Sequence, residues 1–360
     1  MSRSVIARLN SAALAHNYQL LQQLAGEASL MAVVKANAYG HGLEGAATRL
    51  WDAGCRQMAV TDAEEGVTLR ELLRAHDPAS EAECEIALLS GLFDDADAAL
   101  ICTHRLTPVI HDKEEVARLL RARFAGRLWV KMDTGMHRLG AEAARQLLDR
   151  CYRRRWPVIG LMSHLACADD AEHPLNAQQV ERMRSFLNLL GPIKGSLLNS
   201  AGLITMPNCA LDVVRPGIAL YGAEPVADKP VGLQPVMQLE AKVMQVRKVA
   251  PGEGISYGAE FVADRPMRVA VVCAGYGDGV PRLLGARGGE VMIADERMPI
   301  VGRICMDYTM VDITGHTVRA GDTVQFWGAD LLATEVATRC ETISYELFTG
   351  VSERVKRHWE

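Results

Sequence analysis

Leu30-Met-Ala-Val-Val-Lys35-Ala-Asn-Ala-Tyr39-Gly-His-Gly42 runs from an apolar segment straight into a turn containing two glycines. The run Leu30–Val34 reads as a short buried strand, and Gly40 and Gly42 end it. A lysine delivered at the end of such a strand loses its proton more easily than a surface lysine, because desolvation disfavours the ammonium. A fixed neutral amine can attack an aldehyde and form a Schiff base. The competing reading is a lysine that snorkels out of the strand end into water. The glycine turn, with Tyr39 four residues on, favours a site.

Moving outward, similar short apolar runs alternate with helical patterns. Strands are expected at Leu30–Lys35, Gln57–Val60, Ile86–Ser90, Pro108–Ile110, Leu128–Met132, Val158–Ser163, Ser196–Asn199 and Leu211–Val214. Amphipathic stretches such as Asp62–His76, Asp112–Arg123, Ala141–Arg154 and Asn176–Leu190 lie between them, and Asp112 with Glu115 reads as a helix start. Eight β/α alternations over about 200 residues are what a TIM-type (β/α)8 barrel requires; a doubly wound open sheet normally uses fewer strands.

After Pro235 the pattern changes to apolar–polar alternation, in Val236–Val249, Arg268–Cys273, Glu290–Ala294, Met298–Ile304 and Asp322–Trp327, with one helix at Leu331–Cys340. The expected organisation is an α/β barrel over 1–235 and a mostly-β C-terminal domain over 236–360. Val5–Leu9 stands outside the eight strands and is free to pair with the second domain.

The composition of the 360 residues is 49% hydrophobic with net charge −5, which suits a globular enzyme. The absence of a basic stripe with interleaved aromatics argues against nucleic acid. Nine cysteines without a CxxC argue against a disulfide framework or a metal site and for a reducing cytoplasm. MSRSVIARLN lacks the apolar core of a signal peptide, and no run is long enough to span a membrane.

The lysine segment resembles the pyridoxal phosphate motif of the alanine racemase family. The resemblance continues through KMDTGMHRLG (131–140), SHLA (163–166), LNSAG (198–202), VRPGIALYG (214–222), GISYGAEF (254–261), AGYGDGVPR (274–282), IVGRICMDYTMVD (300–312) and TISYELFTGVSERV (342–355), in the family's order. It implies a barrel followed by a β domain, pyridoxal 5′-phosphate on Lys35, and racemisation of alanine between Lys35 and Tyr257 of the partner subunit in a homodimer with composite sites. Production of D-alanine for peptidoglycan would follow. By the same resemblance, Tyr39, Tyr345, Asn199, Ser200 and the backbone of Gly217 and Ile218 hold the cofactor phosphate, and His164 lies beside the ring. Arg215 faces the ring nitrogen, and because arginine keeps its proton that nitrogen stays unprotonated. Arg138 meets the phenolic oxygen and the substrate carboxylate, and Lys131 matches a lysine carried as an N-carboxylate. Met306 and Asp307 fall in the substrate-side loop; Tyr276, Arg282 and Arg303 line an access channel.

From the residues alone, most of these positions have plainer readings: a helix cap at Asn199-Ser200, core tyrosines, a structural histidine and a surface arginine. Gly254-Ile-Ser256-Tyr257-Gly258 also fits G-x-S-x-G, whose hydrolase elbow demands a strand before and a helix after. A catabolic or broader-specificity racemase, an amino-acid decarboxylase and a non-catalytic cofactor carrier are the remaining alternatives. The carrier lacks a β domain, and the decarboxylase would need an acid where this chain has Arg215.

Overall fold

A computed structural model describes residues 5–360. Ile6–Leu9 (β1) leads into the helix Ser11–Ala25. Eight strands then alternate with helices: Ser29–Val33 (β2), Gln57–Val60 (β3), Glu85–Leu88 (β4), Thr107–Ile110 (β5), Leu128–Lys131 (β6), Val158–Met162 (β7), Lys194–Asn199 (β8) and Val213–Arg215 (β9). They pair in parallel, in chain order, and β2 closes on β9 through Ser29 and Leu30. Their burial explains their texture. Strands covered on one face by helices and on the other by the barrel interior read as near-continuous apolar runs, and β5 and β6 are buried at every position.

The second body is one mixed sheet ordered β15-β14-β17-β10-β1-β18, with β13 joining β10 and β16. Its strands are Met237–Val249 (β10), Met267–Val272 (β13), Glu290–Ile293 (β14), Glu296–Pro299 (β15), Thr309–Asp312 (β16), Thr323–Trp327 (β17) and Lys356–Trp359 (β18); the two-residue strands Gly254–Ile255 (β11) and Phe261–Val262 (β12) form a separate ribbon. β1 runs antiparallel to β10 and parallel to β18. The strand expected at Met298–Ile304 is shifted: pairing with β14 ends at Pro299, and Ile300 makes only an isolated bridge to Val311. The single expected helix of this body, Ala333–Arg339, is joined by Ser344–Gly350 and the short Leu283–Ala286.

Helix starts at the rim are specified locally. Asp112 and Glu115 form a reciprocal capping box, and Asp62 and Asp94 each accept the N–H three residues on, from Glu65 and Asp97. These caps fix the loops that leave the C-terminal ends of the barrel strands, where barrel enzymes place their chemistry.

Candidate active site

A cavity of about 790 Å³ opens at that end of the barrel, lined by Lys35, Tyr39, Lys131, Arg138, His164, Asn199, Ser200, Arg215, Gly217, Ile218 and Tyr345, among others. Eleven of the residues singled out from the sequence therefore face one space.

Lys35 does not sit at a strand end. β2 stops at Val33, and Ala36, Asn37, Ala38 and Tyr39 all have φ of 52–53°. This is one turn of left-handed helix built without glycine, at about 1–2 kcal/mol per residue, so the surroundings must hold it. Asn37 Oδ1 accepts from Leu43 N at 2.7 Å, Arg357 Nε donates to Gly40 O at 2.8 Å, and His41 Nδ1 lies 2.9 Å from Tyr39 O. Gly40, at φ 78°, passes so close to Phe348 O that a Cβ would collide with it. Burial, then Arg138, lowers the Lys35 pKa.

Arg215 is fully enclosed. It donates to Ser196 Oγ and to Ser163 O at 2.5 Å, with Leu197 O 3.4 Å away. Burial brings it down to about 10, which leaves it charged at neutral pH. Its Nη2 is 3.3 Å from His164 Nδ1. Arginine has no lone pair to offer, so Nδ1 accepts and the imidazole proton sits on Nε2. Burial and then Arg215 push the His164 pKa well down, keeping the ring neutral. Asn199 Oδ1 is committed to Gly202 N, so the 3.4 Å contact from Nδ2 to His164 Nε2 joins two donors and carries no hydrogen bond.

Lys131 Nζ donates to Leu89 O at 3.0 Å, and burial, with Arg215 and Arg138 next, brings its pKa to about 7. The turn carrying Arg138 wraps a carboxylate: Asp133 accepts from Gly135 N, Met136 N and His137 N at 2.8–3.0 Å. Ser200 Oγ accepts from Gly217 N at 2.9 Å and Ala219 N at 3.3 Å, on either side of Ile218, and a Cβ on Gly217 would strike the Tyr39 hydroxyl. Tyr345 arrives from the second body, its ring 5.9 Å from that of Tyr39. Burial raises both phenols, Tyr345 to about 12.

The remaining candidates form a second cluster outside this lining. Tyr257, 69% exposed, precedes Gly258, which lies against Arg303. Arg303 pairs with Glu260, and Arg282 acts on the same carboxylate. Tyr276 N donates to Cys305 O at 3.1 Å, and Arg354 bridges Asp307 at 3.1 Å and Asp278 at 2.8 Å. Beside Tyr257, Ser256 donates to Arg303 O at 2.6 Å. Only a 3-10 turn, Tyr257–Ala259, follows it, without the helix of a hydrolase elbow.

Four buried or half-buried polar side chains also emerge that the sequence reading passed over or used otherwise, and each ties two neighbouring loops together. Glu65 accepts from Ala36 N (2.6 Å) and Thr61 N (2.9 Å), joining loops one and two. Glu115 takes Leu92 N at 3.0 Å, His111 N at 2.6 Å and Asp112 N at 2.8 Å, joining three and four. Gln179 donates to Thr134 Oγ1 and His164 O and accepts from Ala166 N, joining five and six. Ser200 and Gly217 join seven and eight. The signal for Glu65 was present: Asp62-x-x-Glu65 repeats the Asp112-x-x-Glu115 pattern.

Chemically, Lys35, Lys131, Arg138 and Arg215 converge where Glu346 is the one carboxylate of the lining among the described residues. Such a cavity suits an anionic ligand with an aldehyde for Lys35. Comparison with known proteins agrees. Residues 9–225 match the family model "Alanine racemase, N-terminal domain" and residues 236–359 "Alanine racemase, C-terminal domain". The chain is 40% identical over 368 residues to the biosynthetic alanine racemase of Pseudomonas aeruginosa, with 99% of each covered. The crystal structure of the biosynthetic alanine racemase from Pseudomonas aeruginosa is similar at TM-score 0.89, 39% identity and 99% coverage of both chains. That of the Bartonella henselae alanine racemase, with covalently bound pyridoxal phosphate, gives TM-score 0.90 at 31% identity, again covering 99% of both.

Proposed function

Since the chain belongs to the alanine racemase family, and is thereby an isomerase acting on alanine, we propose which of its residues hold pyridoxal 5′-phosphate and which move the proton. The observation that carries the assignment is the convergence of Lys35, Lys131, Arg138 and Arg215 on one cavity with a single carboxylate in its lining. The cradle fits the group. Ser200, Gly217 and Ile218, with Tyr39, Tyr345 and Asn199, would take the phosphate, Arg215 the ring nitrogen with His164 beside the ring, and Arg138 the phenolic oxygen. When bound, the cofactor supplies a conjugated imine that acidifies the Cα–H of the amino acid joined to it.

The chain supplies the rest. Racemisation must return a proton on the face opposite to the one that lost it, so two groups must flank Cα. Lys35 serves one face, its burial favouring the neutral amine that accepts a proton. Tyr257 of the partner subunit serves the other. Arg138 and the Met306–Asp307 loop would hold the alanine carboxylate, with Tyr276, Arg282 and Arg303 along the access channel. Lys131, titrating near 7, is suited to carry an N-carboxylate that balances Arg138.

A homodimer is supported by the apolar side chains exposed on the second body: Tyr257, Val262, Tyr276, Leu283, Met306 and Tyr308. Nine free thiols support a reducing, cytoplasmic setting, and D-alanine for peptidoglycan is the role we assign. No helix among the described residues is long and apolar enough to cross a membrane.

Adding pyridoxal phosphate to the purified protein should give a visible band bleached by borohydride, and D-alanine should form from L-alanine and the reverse. A protein that stays colourless in excess cofactor would overturn the assignment. Ser256→Ala should keep activity within about 2-fold, since its hydroxyl serves a carbonyl of the neighbouring loop at roughly 1 kcal/mol. A cofactor-loaded but inactive Ser256→Ala enzyme would put the serine in the chemistry.

A further inference from the structure

We propose that Glu65 is a positioning residue that aims the Lys35 amine, a role that rests on the reading of Lys35 given above. The strained turn after Lys35 is held at several points. Asn37, His41 and Arg357 act on residues 37 to 43, downstream of the lysine. Glu65 alone among these side chains grips the peptide that joins Lys35 to Ala36, at 2.6 Å.

The geometry makes that grip specific. Rotation of the Lys35–Ala36 peptide is rotation about ψ of Lys35 and φ of Ala36. Fixing its N–H therefore fixes the direction in which the Lys35 side chain leaves the backbone. On the other side of the lysine, Val34 N donates to Ala59 O of β3 at 2.9 Å. The second oxygen of Glu65 accepts from Thr61 N, just past the end of β3, at 2.9 Å. Lys35 is thus bracketed, at residues 34 and 36, by two hydrogen bonds to the same neighbouring β/α unit. Of the four side chains that tie rim loops together, Glu65 is the one attached next to the proposed nucleophile.

The charge has a second consequence. Burial and Arg138 lower the pKa of the Lys35 amine, and the Glu65 carboxylate opposes them. A glutamine at 65 keeps the shape, but its single oxygen can serve only one of the two donors and its NH2 faces the other. Glu65→Gln therefore loosens the aim and removes the opposing charge together, and these act in opposite directions on cofactor capture. The midpoint pH for capture should fall, because the amine loses its proton more readily. The rate on the alkaline plateau, where the amine is neutral in both proteins, should fall because the aim is poorer.

The test strips the cofactor from the full-length enzyme with hydroxylamine, adds pyridoxal phosphate, and follows the visible band across pH. Hydride trapping and peptide mass then measure cofactor on Lys35. Glu65→Gln should lower the plateau rate at least ~10-fold and shift the midpoint to lower pH. In turnover, kcat should fall by a similar factor while KM for alanine changes less than ~3-fold. Asp97→Asn is the control, since Asp97 occupies the same helix position but accepts only within its own loop, from Phe93 N at 2.7 Å. It should keep rate and midpoint, and melt within a few degrees of Glu65→Gln. A plateau rate within ~2-fold of wild type in both Glu65→Gln and Glu65→Ala would overturn the proposal. So would an equal loss in Asp97→Asn, an unchanged midpoint, or failure of both Glu65 variants to fold. Cofactor fixed to the chain by hydride in Lys35→Ala would overturn the Lys35 reading itself, whatever Glu65 does.

Discussion

Lys35→Ala is expected to abolish covalent attachment of the cofactor and lower racemisation at least ~10³-fold, since it deletes both the covalent anchor and one of the two proton carriers. Two lysines line the cavity, and they are not equivalent. Lys131 is tied to Leu89 O at 3.0 Å, whereas the Lys35 side chain leaves a turn whose backbone is clamped on both sides. Noncovalent binding should persist in the variant, because Arg215, Ser200 and Tyr39 remain in the cavity lining. Equilibrium dialysis would detect it, and borohydride would no longer fix the cofactor to the chain. Cofactor trapped on Lys131, with the band intact, would refute the assignment.

Mixing two inactive variants is expected to recover activity. Tyr257 is 69% exposed and absent from the lining of its own chain's cavity, so in the proposed dimer it completes the partner's site. Co-refolding Lys35→Ala with Tyr257→Ala gives mixed dimers in which one site carries both changes and the other neither. Random association makes half the dimers mixed, each with one intact site of two, so roughly a quarter of wild-type activity should return. Native mass spectrometry identifies the mixed species. Mixed dimers without D-alanine formation would place Lys35 and Tyr257 in one chain's site.

The barrel was legible because its strands are covered on both faces, and such segments are short and apolar without interruption; Gln57–Val60 has the same bounds in sequence and structure. The second body was harder to read. β16 follows directly on the loop that holds Met306 and Asp307, and its apolar residues merge with that loop's. β18, Lys-Arg-His-Trp, lies at a sheet edge with alternating exposure and carries little apolar signal. The helix bearing Tyr345 is seven residues long, too short for a clear period. In the site, residue types at strand ends could be read, but the left-handed turn could not, because alanine, asparagine and tyrosine do not announce positive φ as glycine does. The separation of Tyr257 from the cavity is a property of tertiary structure, which no local pattern encodes.

The chain passes between barrel and sheet twice, after Leu9 and before Met237, and these residues are direct partners in the ladder. Beside them β18 adds a third strand, closed by Ser11 N to Glu360 O at 3.0 Å. Mechanically this is a ribbon: it resists twist and in-plane shear, and it bends readily only across its flat face. That remaining freedom is pinned at the rim, where Arg357 of β18 holds Gly40 and Arg49 lies 4.7 Å over the Trp359 ring. The terminal strand is thus tied directly to the left-handed turn after the lysine, so the seating of the C-terminus and the shape of that turn are coupled through Arg357.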